Sequence, residues 1–215
     1  MTFRLIFTTC IAARYSDAAE REKMYYEAIT KSLKILRGMP IEIYIVENSV
    51  KRRTLLDDIS GVHLLYTDTQ AIQYTGANPD AETGLKPMKE MMDIHRVCDT
   101  FDFDEEDIVI KLTGRYLLDN PPTFLENIIK NSQNYDVFMK FLNICSMKYE
   151  QYDCVLGLFA IRYKYLLEFN PRHMLEQTSA EQIFARFVRS SICQERILEA
   201  THLGLILPRE DDALI

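Results

Sequence analysis

Three short, almost uncharged runs rich in β-branched and aromatic residues (3–9, 41–46 and 62–66) are separated by segments with a helical period. Runs this apolar have no polar face to turn to water, so they read as strands covered on both sides. Between the first two, Ser16 reads as a helix N-cap, with Asp17 and Glu20 in the turn that the helix dipole favours for acids. Tyr25, Ala28, Ile29, Leu33 and Leu36 then recur every three or four residues until Gly38 and Pro40 stop the helix. A short charged helix at about 52–59 and Gly61 lead to the third run. A β-α-β-α-β opening of this kind predicts a parallel sheet with right-handed crossovers.

The rest of the chain continues the pattern. Residues 67–86 form a polar segment longer than most connections, and such loops are often functional. Pro87 suits the first position of a helix running to about 97. An acidic stretch (102–107) precedes a fourth strand, 108–112, and Asn120-Pro121-Pro122-Thr123 breaks the chain before a helix at 124–130. Strands are expected at 137–141 and 155–161, helices at 163–169 and 180–199, and a last short strand at 203–207. With no repeat, low-complexity tract or linker, the expectation is one α/β domain over 1–215, a mixed and mostly parallel central sheet flanked by helices.

The charge balance narrows the function. Lys and Arg number 25 against 32 Asp and Glu, a net charge of −7, and no basic run exceeds Lys51-Arg52-Arg53. Nucleic acid is therefore a poor partner, since its backbone needs clustered positive charge. A small polyanion can still be held by one or two cations and a helix N-terminus. The five cysteines (Cys10, Cys98, Cys145, Cys154, Cys193) have no CxxC spacing. They read as reduced, mostly buried thiols, which suggests a cytoplasmic protein. The first residues are too short an apolar run for a signal peptide, and no stretch has the roughly 20 apolar residues of a membrane span.

In parallel α/β sheets ligands bind outside the carboxyl ends of the strands. The fourth strand ends in Lys111-Leu112-Thr113-Gly114-Arg115-Tyr116. A glycine there lets the backbone pass close to a ligand, and Arg115 offers a planar fork for phosphate oxygens. The same string also fits a β-turn with a surface arginine. The second strand ends in Glu47-Asn48-Ser49, and Leu156-Gly157-Leu158-Phe159-Ala160-Ile161 forms a later strand. Together these three segments resemble GT-A-type glycosyltransferases of bacteria and large DNA viruses, and most of all the glycosyltransferase domains encoded by chlorella viruses, over about residues 3–190. In that family a Lys-(Ile/Leu)-Thr-Gly-Arg-Tyr string stands where related enzymes carry Asp-x-Asp.

The resemblance implies transfer of a sugar from a nucleotide diphosphate, UDP above all, to a hydroxyl of a glycan or glycoprotein acceptor, in the host cytoplasm if the chain is viral. It implies a nucleotide-binding half at about 1–118 and an acceptor-binding half at about 119–215. Thr8, Thr9, Arg14, Glu47 and Asn48 would meet the base and ribose, while Lys86, Thr113, Gly114 and Arg115 would hold the diphosphate. It also implies a divalent cation, Mn²⁺ or Mg²⁺, although Thr113-Gly114-Arg115 lacks the two carboxylates. Arg115 could then neutralise the diphosphate in the metal's place.

Asp80 and Glu82 are the better candidate ligands, because their loop follows the third strand on the ligand side and hard cations favour carboxylates, but an ordinary solvated loop explains them as well. Asp102-Phe103-Asp104 has the right spelling but lies before the fourth strand, at the wrong end of the sheet, and reads as a solvated loop. Gly84-Leu85-Lys86-Pro87 reads as a loop-to-helix junction whose free N–H groups face the crevice, or as an ordinary junction. For a base near the acceptor hydroxyl, the candidates are Asp153 and Glu181. Glu181 serves equally as a dipole-stabilising acid in a first helical turn. His202 reads as a capping or packed histidine, against the histidine near the metal that the resemblance offers at this end of the chain. A Gly-x-Ser-x-Gly elbow, a Walker loop and Gly-x-Gly-x-x-Gly after the first strand are all absent. A non-catalytic nucleotide-binding module and a sugar nucleotidyltransferase stand as alternatives.

Overall fold

A computed structural model describes residues 1–12, 17–49, 53–73, 81–175 and 179–206, and of residues 81–83 only the backbone. Strands β1 (Phe3–Thr9), β2 (Ile41–Glu47), β3 (His63–Tyr66) and β4 (Ile108–Thr113) are mutually parallel. They join β6 (Val137–Met139), β7 (Leu158–Arg162) and β8 (Ile197–Glu199) in a seven-stranded sheet of order β3-β2-β1-β4-β7-β6-β8. Only β7 runs against the rest, pairing antiparallel with both β4 and β6. The expected α/β domain with a mixed, mostly parallel sheet is what the chain forms. Two short strands, β5 (Leu117–Leu118) and β9 (Leu205–Ile206), make a separate antiparallel pair.

Side-chain alternation along β1 sorts the core into two layers. Leu5 and Phe7 point to the face covered by α1 (Ala18–Ile35) and α3 (Thr123–Asn131), where Tyr25, Ile29, Phe124 and Ile128 meet them. Ile6 and, on β4, Val109 point to the opposite face, which is covered by α2 (Ala81–Thr100), α4 (Tyr163–Glu168) and α5 (Ala180–Ser191). Both faces are filled, so the strands could carry no polar stripe, as their composition required.

Several boundaries differ from expectation for identifiable reasons. Asp17 caps α1, accepting from the N–H groups of Ala19 and Glu20; Ser16 lies outside the described residues. The segment at 52–59 contracts to a four-residue 3-10 turn, Leu55–Asp58. Helix α2 begins at Ala81, with Pro87 inside it. Its early turns lie on the 3-10 segment Pro171–Leu175, and a Cβ on Gly84 would stand 1.8 Å from the Met174 carbonyl oxygen. Tertiary packing thus outweighs the proline signal, and residues 84–87 are helix interior rather than a junction with free N–H groups.

The helix expected at 180–199 ends at Ser191, because Ile192 takes extended backbone and the chain goes on to pair β8 with β6. Asp136, just before β6, ties that region together by binding both Arg162 on β7 and Arg196 ahead of β8. Cys98 and Cys154 are buried, but Cys145 and Cys193 are exposed, so the thiols divide more evenly than expected. Among the described residues no helix is long and apolar enough to cross a membrane.

Candidate functional site

Thr9, Glu47, Tyr66 and Thr113 end the four parallel strands at one edge of the sheet. The polar side chains gathered there form three linked groups. At the end of β2, Glu47 is fully buried. One carboxylate oxygen accepts from the Thr9 hydroxyl at 2.6 Å, and the other from the backbone N–H groups of Ile11 and Ser49 at 3.1 and 2.9 Å. Glu47 therefore shapes the β1 and β2 loops from behind. The neighbouring Cys10 thiol is pushed up to about 11 by burial and by the charge of Glu47.

The second group centres on Asp93 of α2, a residue that the sequence reading missed. Its carboxylate accepts from Thr67 and Thr69 at 2.6 and 2.7 Å and from the Asn48 amide at 2.9 Å. Burial pushes this carboxyl up to about 6 against the pull of those hydrogen bonds. The Asn48 Oδ1 atom is buried and has no partner among the described residues. Outside this cluster a cavity of about 560 Å³ opens along β3 and α2, lined by Tyr66, Thr67, Asp68, Thr69 and Arg96 among others.

The third group lies between β1, β4 and α2. Lys111, only 2% exposed, sets its ammonium 3.0 Å from the Glu90 carboxylate of α2. The same ammonium donates to the Thr113 hydroxyl at 2.7 Å and to the Leu156 carbonyl at 2.6 Å, and the Thr8 hydroxyl donates to Glu90. Burial alone would raise the Glu90 carboxyl, but Lys111, Thr8 and Lys86 hold it below the usual range. Since Thr113 accepts from Lys111, its own hydroxyl hydrogen is free for another acceptor. Neither Glu90 nor the burial of Lys111 was legible in the motif, because the pair spans two elements.

The remaining expected residues fall in different places. Gly114 donates its N–H to the Thr8 carbonyl at 2.9 Å, and a Cβ there would meet the Thr9 methyl at 2.8 Å. Its smallness serves the packing of β4 on β1 rather than a turn past a ligand. Arg115 lies on the α1 side of the edge, its guanidinium 5.4 Å from the Tyr116 ring centroid. There it lines a cavity of about 290 Å³ together with Glu20, Lys23, Glu27 and Lys31. Lys86 is exposed on α2.

Asp153 is buried and spends both oxygens, on the Asn143 amide at 2.9 Å and the Cys154 N–H at 2.8 Å. Glu181 stands half-exposed in the first turn of α5, whose N-cap is Ser179. Cys154 joins the two, its thiol donating to the Glu181 carbonyl. His202 is exposed, and Asp102 and Asp104 are exposed at the amino end of β4, flanking the buried Phe103. Arg14, Asp80 and the side chain of Glu82 lie outside the described residues. Among the described residues no three His, Cys, Asp or Glu side chains are placed to hold a metal ion. Glu90 does not fit that task either, since Lys111 already neutralises it.

Solved structures carry the same arrangement of strands and helices. The galactosyltransferase LgtC in complex with donor and acceptor sugar analogues superposes with a TM-score of 0.55 at 9% identity, over 92% of this chain and 73% of that one. The fold is that of GT-A glycosyltransferases. A Desulfovibrio desulfuricans protein described as a nucleotide-diphospho-sugar transferase also gives 0.55, at 12% identity, over 93% of this chain and 80% of that one. S. aureus TarS bound to UDP-GlcNAc gives 0.55 at 12% identity, with all of this chain spanning 62% of that one. No family model and no curated protein matches the chain by sequence.

Proposed function

We propose that the protein is a glycosyltransferase that takes a sugar from a nucleotide diphosphate, most readily UDP, and passes it to a glycan hydroxyl. The observation that carries the reading is the Thr8–Glu90–Lys111–Thr113 cluster at the carboxyl ends of adjacent parallel strands. That is where an open α/β sheet takes its ligand. In this reading Asn48 meets the base or ribose, with Glu47 and Thr9 holding its loop in place and Thr8 beside them. The Thr113 hydroxyl and Lys86, on the α2 side, take the diphosphate, with Gly114 bringing β4 against β1, and Arg115 joins them by turning over the sheet edge from its place beside α1.

The transfer breaks the bond between the sugar C1 and the diphosphate oxygen, and the electron pair leaves with UDP. The acceptor oxygen bonds to C1 and gives its proton to a carboxylate. Glu181 is the better base, because Asp153 is already committed to Asn143 and Cys154. Stabilising the leaving charge is worth a few kcal/mol for each well-aimed donor. Replacing Arg115 with Ala should accordingly slow transfer by ~10²-fold in a UDP-release assay, and unchanged turnover would remove Arg115 from the reaction. A divalent cation enters the proposal only through Asp80 and Glu82.

Calorimetric titration with UDP, GDP and CMP, each with Mn²⁺ and with EDTA, tests the reading. Selective binding of UDP supports the donor class, and loss of binding in EDTA supports the metal. Binding of none of the three overturns the reading. Release of pyrophosphate from UTP and a sugar phosphate would instead assign the fold to nucleotidyl transfer.

A further inference from the structure

Seven large hydrophobic side chains are exposed among the described residues, and four of them (Ile144, Met147, Tyr149 and Tyr152) fall within nine residues of one another. They sit on an extension of the β6–β7 hairpin. Beyond the sheet its arms stay paired, Val155 donating to Lys140, Leu142 to Asp153 and Asn143 to Lys148. Because β6 is parallel to β4, the extension leaves the sheet at the same edge as the candidate site.

The extension is bolted down along α5. Arg189 of that helix lies 3.7 Å over the Phe141 ring and donates to the Gln151 carbonyl at 3.3 Å. It also reaches the Tyr149 hydroxyl at 3.5 Å. At the other end of α5, the Cys154 thiol meets the Glu181 carbonyl. Residues 149–154 thus run antiparallel to the helix, from Arg189 down to Glu181. Eight residues separate those two positions, about 12 Å at the helical rise of about 1.5 Å per residue. That length suits two or three sugar rings.

The chemistry of the surface selects its occupant. Residues 144–152 contain one cation, Lys148, and one anion, Glu150, and Arg189 beneath them is paired with Glu199, so the segment is neutral and does not favour a polyanion. Tyrosine gives broad, rigid, amphipathic contact at low conformational cost, and the fixed backbone lowers that cost further. We propose that Tyr149 and Tyr152 form the docking platform for a neutral oligosaccharide acceptor lying along α5, with its reacting end at Glu181. This rests on the glycosyltransferase reading for the identity of the reacting end.

The chain contains no tryptophan, so Tyr149→Trp and Tyr152→Trp each place a single emitter on the platform. Emission would be followed while maltotriose, cellotriose, chitotriose or mannotriose is added, with glucose as the short control, and UDP binding measured in parallel. The expected result is a saturable change with at least one trisaccharide at tenfold lower concentration than glucose needs. The doubly substituted Tyr149→Ser/Tyr152→Ser protein should keep its UDP affinity while losing trisaccharide binding by at least tenfold. If UDP binds and no trisaccharide alters either emitter, the platform is overturned and the donor reading stands. If a trisaccharide binds and UDP does not, the platform stands and the transferase reading falls. A dimer in sedimentation that the double Ser variant abolishes would give the surface to a second copy of the chain and overturn the proposal.

Discussion

Lys111 is the residue on which the candidate site depends most. Its ammonium has left water almost completely, and Glu90, Thr113 and Leu156 take the place of that water. Removing one partner of a buried pair costs about 3–5 kcal/mol, and the partial exposure of Glu90 reduces this to about 2–3 kcal/mol. Lys111→Met should therefore lower the melting temperature by roughly 5–10 °C. The double variant Lys111→Met/Glu90→Gln should recover most of that loss, and calorimetry showing equal losses for the two would mean that the groups do not interact. Asp93 carries the opposite cost. Its folded carboxyl is raised to about 6 from 3.8, so the stability tied to its neutral form is complete below about pH 4 and is lost as pH rises through 6. The difference is on the order of 3 kcal/mol. Asp93→Asn should flatten the melting temperature between pH 4 and 6; an unchanged slope would show that another group titrates there.

At the scale of elements, two glycines set how closely neighbours approach, and neither works through a positive φ. Gly84 lets α2 rest on the Met174 carbonyl, and Gly114 lets β4 close on Thr9. A Gly84→Ala chain must push 171–175 away by more than an ångström, because backbone rather than a flexible side chain blocks the methyl. A loss of about 2–3 kcal/mol in urea unfolding is expected, in the range of overpacked cores; a neutral result would mean that the 171–175 segment yields freely. The same glycine explains a misread boundary. The sequence around 84–87 spells a helix start, and only the distant 171–175 segment makes it helix interior. The four parallel strands were legible because burial on both faces leaves its mark on every residue. The strand at 197–199 was not, because Gln194-Glu195-Arg196 beside it looks like the exposed face of a continuing helix.

For the whole molecule, the sheet edge was readable and the partners across it were not. Thr8, Thr9, Glu47, Asn48 and Thr113 could be named because strand ends are visible in sequence. Glu90 and Asp93 could not, since each meets its partners only through the phase of α2 against the sheet. Strand β4 is bonded to β1 on one side and to β7 on the other, with residues 108–112 fully covered. It is the fourth of the seven strands, with three on either side. In deuterium exchange followed by mass spectrometry, peptides from 108–112 should label last, at the rate of global unfolding. The exposed hairpin at 144–152 should label within the first time points. Rapid labelling of 108–112 would mean that β1 and β7 open separately. Slow labelling would mean that Lys111 of the candidate site is anchored in the last part of the protein to open, so that its ammonium keeps one position whatever approaches the sheet edge.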